Sequence, residues 1–193
     1  MALWGITDAD EAKPKWLSTA QKKEVFANNS GWVVEAGSTM TGNDNADAQP
    51  EVLCCIGDLA TGLGAADITE IEFITTAFDK SDGGNIDVRV RFNEQVTVDT
   101  SGGTPTLTIT NDTPARNLTA TYLSGSTTNE LIFRKTIAAA NAATNAGDVL
   151  SIGANPLALA SGTIKDTADG STNATITSVE AIGTAAGTIT VAA

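Results

Sequence analysis

Seven consecutive residues, Ile86-Asp87-Val88-Arg89-Val90-Arg91-Phe92, alternate between apolar and charged without a break. Side chains on an extended strand point to opposite faces at every step, so this stretch can bury one face only as a β-strand. Thr106-Leu107-Thr108-Ile109-Thr110 repeats the alternation with threonine outward, and Leu118 to Tyr122 and Leu131 to Phe133 continue it. Between these runs lie turn formers: Ser81-Asp82-Gly83-Gly84, Asp99 to Gly103, Asn111-Asp112 and Ser124-Gly125-Ser126. Turn signals recurring about every 8–12 residues or somewhat further apart are the spacing of a sandwich or barrel. Further strands are expected at 68–78, 95–98, 149–152, 163–165, 174–179 and 188–191. The alanine-rich stretch 138–147 is expected to form a helical turn. The prediction for 67–193 is an all-β fold, an antiparallel β-sandwich domain.

Residues 1–66 differ in kind. All three tryptophans, Trp4, Trp16 and Trp32, lie here with both cysteines. Ser18-Thr19-Ala20-Gln21 has the form of a capping box that could open a short helix. The preferred alternative is a hairpin, Glu24-Val25-Phe26-Ala27 and Trp32-Val33-Val34-Glu35 joined through Asn28-Asn29-Ser30-Gly31. A strand is expected at 51–56, with Cys54 and Cys55 reduced and facing opposite sides, and 57–66 reads as a linker. The segment looks too poor in regular elements to close a core of its own. It is therefore expected to be an extended anchoring arm, with Trp4, Trp16, Leu17, Phe26 and Trp32 as candidate interface residues. Large aromatic side chains are where binding energy concentrates, although the tryptophans could equally form a minor core beneath the arm.

Composition narrows function by exclusion. The 193-residue chain contains no histidine, which removes Ser-His-Asp and Cys-His catalysis and imidazole zinc sites. Its 23 acidic residues against 11 basic ones give a net charge of −12, which argues against nucleic acid and anionic membranes as partners. Neither a basic start with an apolar stretch nor a long apolar run is present, so a product made and kept soluble in the cytosol is expected. Asp79-Lys80-Ser81-Asp82-Gly83-Gly84 and Asp166-Thr167-Ala168-Asp169-Gly170 have the flavour of calcium loops, but the first lacks a third carboxylate and a distal bidentate glutamate, and acidic, solvated turns are the preferred reading of both. Arg89 and Arg91 are read as a solvated strand face. No catalytic residue, cofactor or metal is expected.

Several blocks in order carry a resemblance. Val88 to Ile109, Ala120-Thr121-Tyr122-Leu123-Ser124-Gly125-Ser126, Glu130 to Arg134 and Ser161 to Asp166 together resemble the bacterial Ig-like repeats of large surface adhesins. Trp4-Gly5, Lys13-Pro14-Lys15-Trp16-Leu17, Val25-Phe26-Ala27, Gly31-Trp32-Val33 and Thr41-Gly42-Asn43-Asp44 resemble the start of virion structural proteins of marine tailed phages, notably those infecting cyanobacteria. The first resemblance implies an Ig-like sandwich. The second implies a non-enzymatic capsid decoration or cement protein in the virion, assembled in the host cytoplasm and partnered by the major capsid protein or other virion subunits and by copies of itself. A neck, tail or baseplate position, or an adhesive module binding carbohydrate or cells, are the alternatives.

Overall fold

The computed structural model describes residues 13–38, 40 and 45–193. Strands carry the framework, as expected of an all-β chain, with three short α-helices and a 3-10 turn (Pro114–Arg116) beside them among the described residues. Ser18 caps helix α1 (Thr19–Lys23): its hydroxyl accepts from the Gln21 amide while the Gln21 side chain accepts from the Ser18 amide. Strands β1 (Val25–Asn28) and β2 (Gly31–Val34) follow at once and pair antiparallel, Val25 opposite Val34. The helix and the strand pair, weighed as competitors in the sequence, occupy successive segments. β3 (Glu51–Cys55) adds to β2. Gly31 has φ +130, and a Cβ there would lie 2.0 Å from the Cys54 carbonyl oxygen, so β2 can approach β3 only with glycine at this point.

The expected linker at 57–66 is instead helix α2 (Leu59–Leu63), with Leu59, Ala60 and Leu63 buried. Its leucines join Leu17, Val25, Ala27, Trp32 and Val34 in an apolar cluster separate from the main one. Residues 17–63 thus close a small core of their own, because alternate residues of β1 and β2 share a face that α2 covers.

Beyond it run β4 (Ile68–Phe73), β5 (Phe78–Asp79), β6 (Gly84–Asp99), β7 (Thr106–Asn111), β8 (Leu118–Ser124), β9 (Thr128–Ile137), β10 (Val149–Ser151), β11 (Leu157–Ala158), β12 (Thr163–Asp166), helix α3 (Glu180–Ala185) and β13 (Ile189–Ala192). The strand order is β3-β2-β1-β6-β9-β8-β7-β10-β13-β5, with β4 and β12 also on β6 and β11 on β7. The first half of β6 pairs with β4 and β9, and its last residues pair with β12. Inward residues Ile71, Val88, Val90, Leu107, Ile109, Leu131, Phe133 and Leu150 form the main core, all fully buried.

The expectation of purely antiparallel pairing is corrected at two places: β1 meets β6 and β13 meets β5 in parallel. Stretch 138–147, expected as a helical turn, contains no helix and runs through non-helical turns, with Ala140 at φ +53. The strand expected at 174–179 is reduced to an isolated bridge between Asp67 and Thr175, and 68–78 is split into β4 and β5.

Candidate functional site

The arm meets the body at the middle of β6, where the alternation that organises this strand stops. Arg91, Phe92, Asn93 and Glu94 are all buried, although their side chains leave both faces. Ala27 of β1 pairs with Glu94, and Glu35, just past β2, reaches Arg91 with its Oε1 3.3 Å from Nε. A strand with one wet face has become one covered on both sides.

The cover is built from charge. β4 sets Glu70 opposite Arg91 and Glu72 opposite Arg89, and β9 sets Glu130 opposite Arg91. Arg91 Nη1 lies 2.8 Å from Glu70 Oε2, and Nε lies 2.6 Å from Glu130 Oε1. Arg89 Nη2 lies 2.6 Å from Glu72 Oε1. Lys23 of α1 pairs with Glu70, tying the helix to the same group. Asn129 donates to Glu35 Oε1 at 2.8 Å. Arg91 is therefore no solvated residue: it is 7% exposed and bound to carboxylates from three directions. The reading of a wet Arg89–Arg91 face is overturned for Arg91, because the arm covers the face. Arg89 remains half-buried.

Burial first, and the neighbouring Glu130 charge second, push the Glu35 carboxyl up to about 7 despite Arg91 and Asn129. Burial pushes the Lys13 ammonium down to about 8 against the pull of Glu35. Burial also works against the Arg91 charge, yet Glu35 and Glu130 outweigh it and hold the guanidinium above its ordinary value. Lys23 and Arg91 hold Glu70 below the usual carboxylate range, although its burial acts in the other direction. What this arrangement does chemically is fasten two apolar cores through a polar seam.

The candidate interface residues divide sharply. Trp32 is fully buried, Phe26 is 2% exposed and Leu17 is buried, so these three belong to the chain's own interior. Trp16 is 60% exposed. Trp4 lies outside the described residues. Cys54 packs against the arm's cluster and Cys55 is exposed, and both are free thiols, as their adjacency on a strand requires.

The acidic turns spend their oxygens locally. Asp79 Oδ1 accepts from the Ser81 amide and hydroxyl, each at 2.7 Å. Asp169 Oδ1 accepts from the amides of Ser171 and Thr172 at 2.6 and 2.7 Å. Among the described residues no group of three or more metal-ligating side chains is gathered, and no helix is long and apolar enough to cross a membrane. The seam's members were visible as a pattern: Glu-x-Glu in β4, Arg-x-Arg in β6 and Glu130 in β9 form complementary rows once the register is known. Glu35 carried no such signal, because only the folded-back arm brings it to Arg91.

Compared with family models, curated proteins and solved structures, the chain finds no match in any of the three.

Proposed function

We propose that the chain is a non-enzymatic structural protein of a phage virion, a capsid decoration or cement protein. In this reading residues 1–66 are the arm that docks on the shell. Residues 67–193 are an Ig-like antiparallel sandwich displayed outside, present in many copies beside the major capsid protein. One observation carries the reading. The arm keeps an apolar core separate from the body's, is fastened to the body by charge, and turns its Trp16 outward to solvent. A docking element needs this combination: its own rigidity, a fixed orientation, and an exposed large aromatic side chain to bury on a partner. Burial of that side chain across subunit seams would strengthen a shell without covalent chemistry. The net charge of −12 would keep decorated particles apart.

The test is binding of the purified chain to particles lacking it, with Trp16→Ala as the variant. The substitution is expected to lower particle binding about tenfold or more, the scale of an aromatic hot spot, and to leave the chain folded as judged by circular dichroism. Immunogold labelling with antibody against 67–193 locates the protein. Gold over the head supports decoration, gold confined to the tail moves the protein to a neck, tail or baseplate position, and unlabelled particles end the virion reading.

A further inference from the structure

A groove of about 420 Å³ lies between α1 and α3, lined by Lys13, Lys22 and Lys23 together with Thr19, Thr69 and Glu70, and walled on the α3 side by Ala181, Ile182 and Ala185. Its charge runs against that of the molecule, since three of the chain's 11 basic residues meet here in a protein of net charge −12. Lys23 is engaged by Glu70. Lys13 donates to the Lys22 carbonyl at 2.8 Å, which uses one of the three donors of an ammonium. Lys22 makes no ion pair among the described residues. Among the described residues the groove thus offers one lysine without an ion pair, one partly used lysine and two threonines.

We infer that this groove binds an acidic peptide segment bearing an apolar side chain, its carboxylates on Lys22 and Lys13 and its apolar group against Ala181, Ile182 and Ala185. Charge complementarity singles out this occupant: a basic or neutral peptide would leave the lysines unanswered, and a bare inorganic anion would leave the α3 wall uncovered. A carboxylate beside Lys13 would also compensate the burial that now pushes this ammonium down to about 8. The inference rests on the proposed docking role of the arm only for the source of the peptide, which is an acidic segment of the shell subunit beneath it.

The experiment is an NMR titration of the ¹⁵N-labelled full chain with a short synthetic peptide alternating glutamate and leucine. The expected result is a set of shifts confined to 13–23, 69–70 and 181–185. Lys22→Glu should weaken the binding about tenfold or more, and Lys22→Gln by less, with unchanged spectral dispersion elsewhere. Raising salt from about 0.05 to 0.5 M should weaken it as well, as expected of exposed charge pairs. Absence of those shifts at millimolar peptide overturns the inference, as does an equal response to a lysine–leucine peptide or unaltered binding by Lys22→Glu. Inorganic phosphate binding as tightly as the peptide makes this a simple anion site and overturns it also. Binding seen only after deletion of 1–12 assigns the groove to the chain's own acidic amino-terminal stretch, with the same consequence. A chain that binds the peptide but not particles keeps the groove and loses the virion reading, whereas the opposite pair of results does the reverse.

Discussion

Arg91 occupies a strand position that would ordinarily face water, and the arm has removed the water. Its guanidinium is the shared partner of Glu35, Glu70 and Glu130, so truncating it leaves several carboxylates close together in a poorly solvated place. Arg91→Ala is expected to destabilise the protein by about 3–5 kcal/mol in urea unfolding, the cost of breaking a buried pair from one side. Glu35 offers a test by pH. Its carboxyl is raised to about 7 from an ordinary 4.5, so between those values the folded chain retains a proton that the unfolded chain releases. Stability due to this group is therefore present at low pH and lost as pH rises through the window. Gln keeps the amide contact with Asn129 and does not titrate. Glu35→Gln should consequently gain on the wild type between about pH 5 and 7, at up to ~1.4 kcal/mol per pH unit. Burial sets the window first and the Glu130 charge widens it, while Arg91, the Asn129 hydrogen bond and Arg89 oppose it, with Lys13 a further cation facing Glu35. A constant difference between the two proteins across this range would show that Glu35 is ionised in the folded state.

At the scale of elements, α2 is the segment most at odds with its sequence. Gly57, Gly62 and Gly64 suggest a flexible connection, yet Leu59 and Leu63 lie one helical turn apart and both point into the arm's cluster. Leu63→Ala should therefore cost about 2–5 kcal/mol, as in any well-packed interior, where a surface linker would register almost nothing. Hydrogen exchange of β1 and β2 amides is the direct readout, because α2 covers them. The capping box on α1 predicts a smaller effect: Ser18→Ala should cost about 0.5–2 kcal/mol. The strand elements were far more legible. Ile86 to Val90 and Thr106 to Asn111 bury every second residue as their alternation demands, since a half-covered sheet preserves the period of the chain. The same period breaks from Arg91 to Glu94, where covering both faces makes pattern and burial part company.

For the molecule as a whole, two apolar clusters joined by a polar seam raise the question of whether they unfold together. All three tryptophans lie within the first 32 residues, so intrinsic fluorescence reports the arm, while far-UV circular dichroism is dominated by the body's strands. With the seam intact the two transitions should coincide. In Arg91→Ala the fluorescence transition should move to lower urea than the dichroism transition, because the fastening is lost and the body's core is untouched. Coincident transitions in that variant would mean that β1 pairing and apolar contacts, rather than charge, hold the arm.

Much of this protein could be read from its residues in order. The all-β framework, most strand positions and the free cysteines follow from periodicity and composition, which are local properties. Tertiary structure alone decided that Trp32 and Phe26 are core, that Trp16 is exposed, that 59–63 is a helix, and that Arg91 is buried with Glu35. These outcomes depend on which surface the folded-back arm covers. A side chain's face is set by its neighbours in sequence, whereas its exposure is set by whatever distant segment comes to lie on that face.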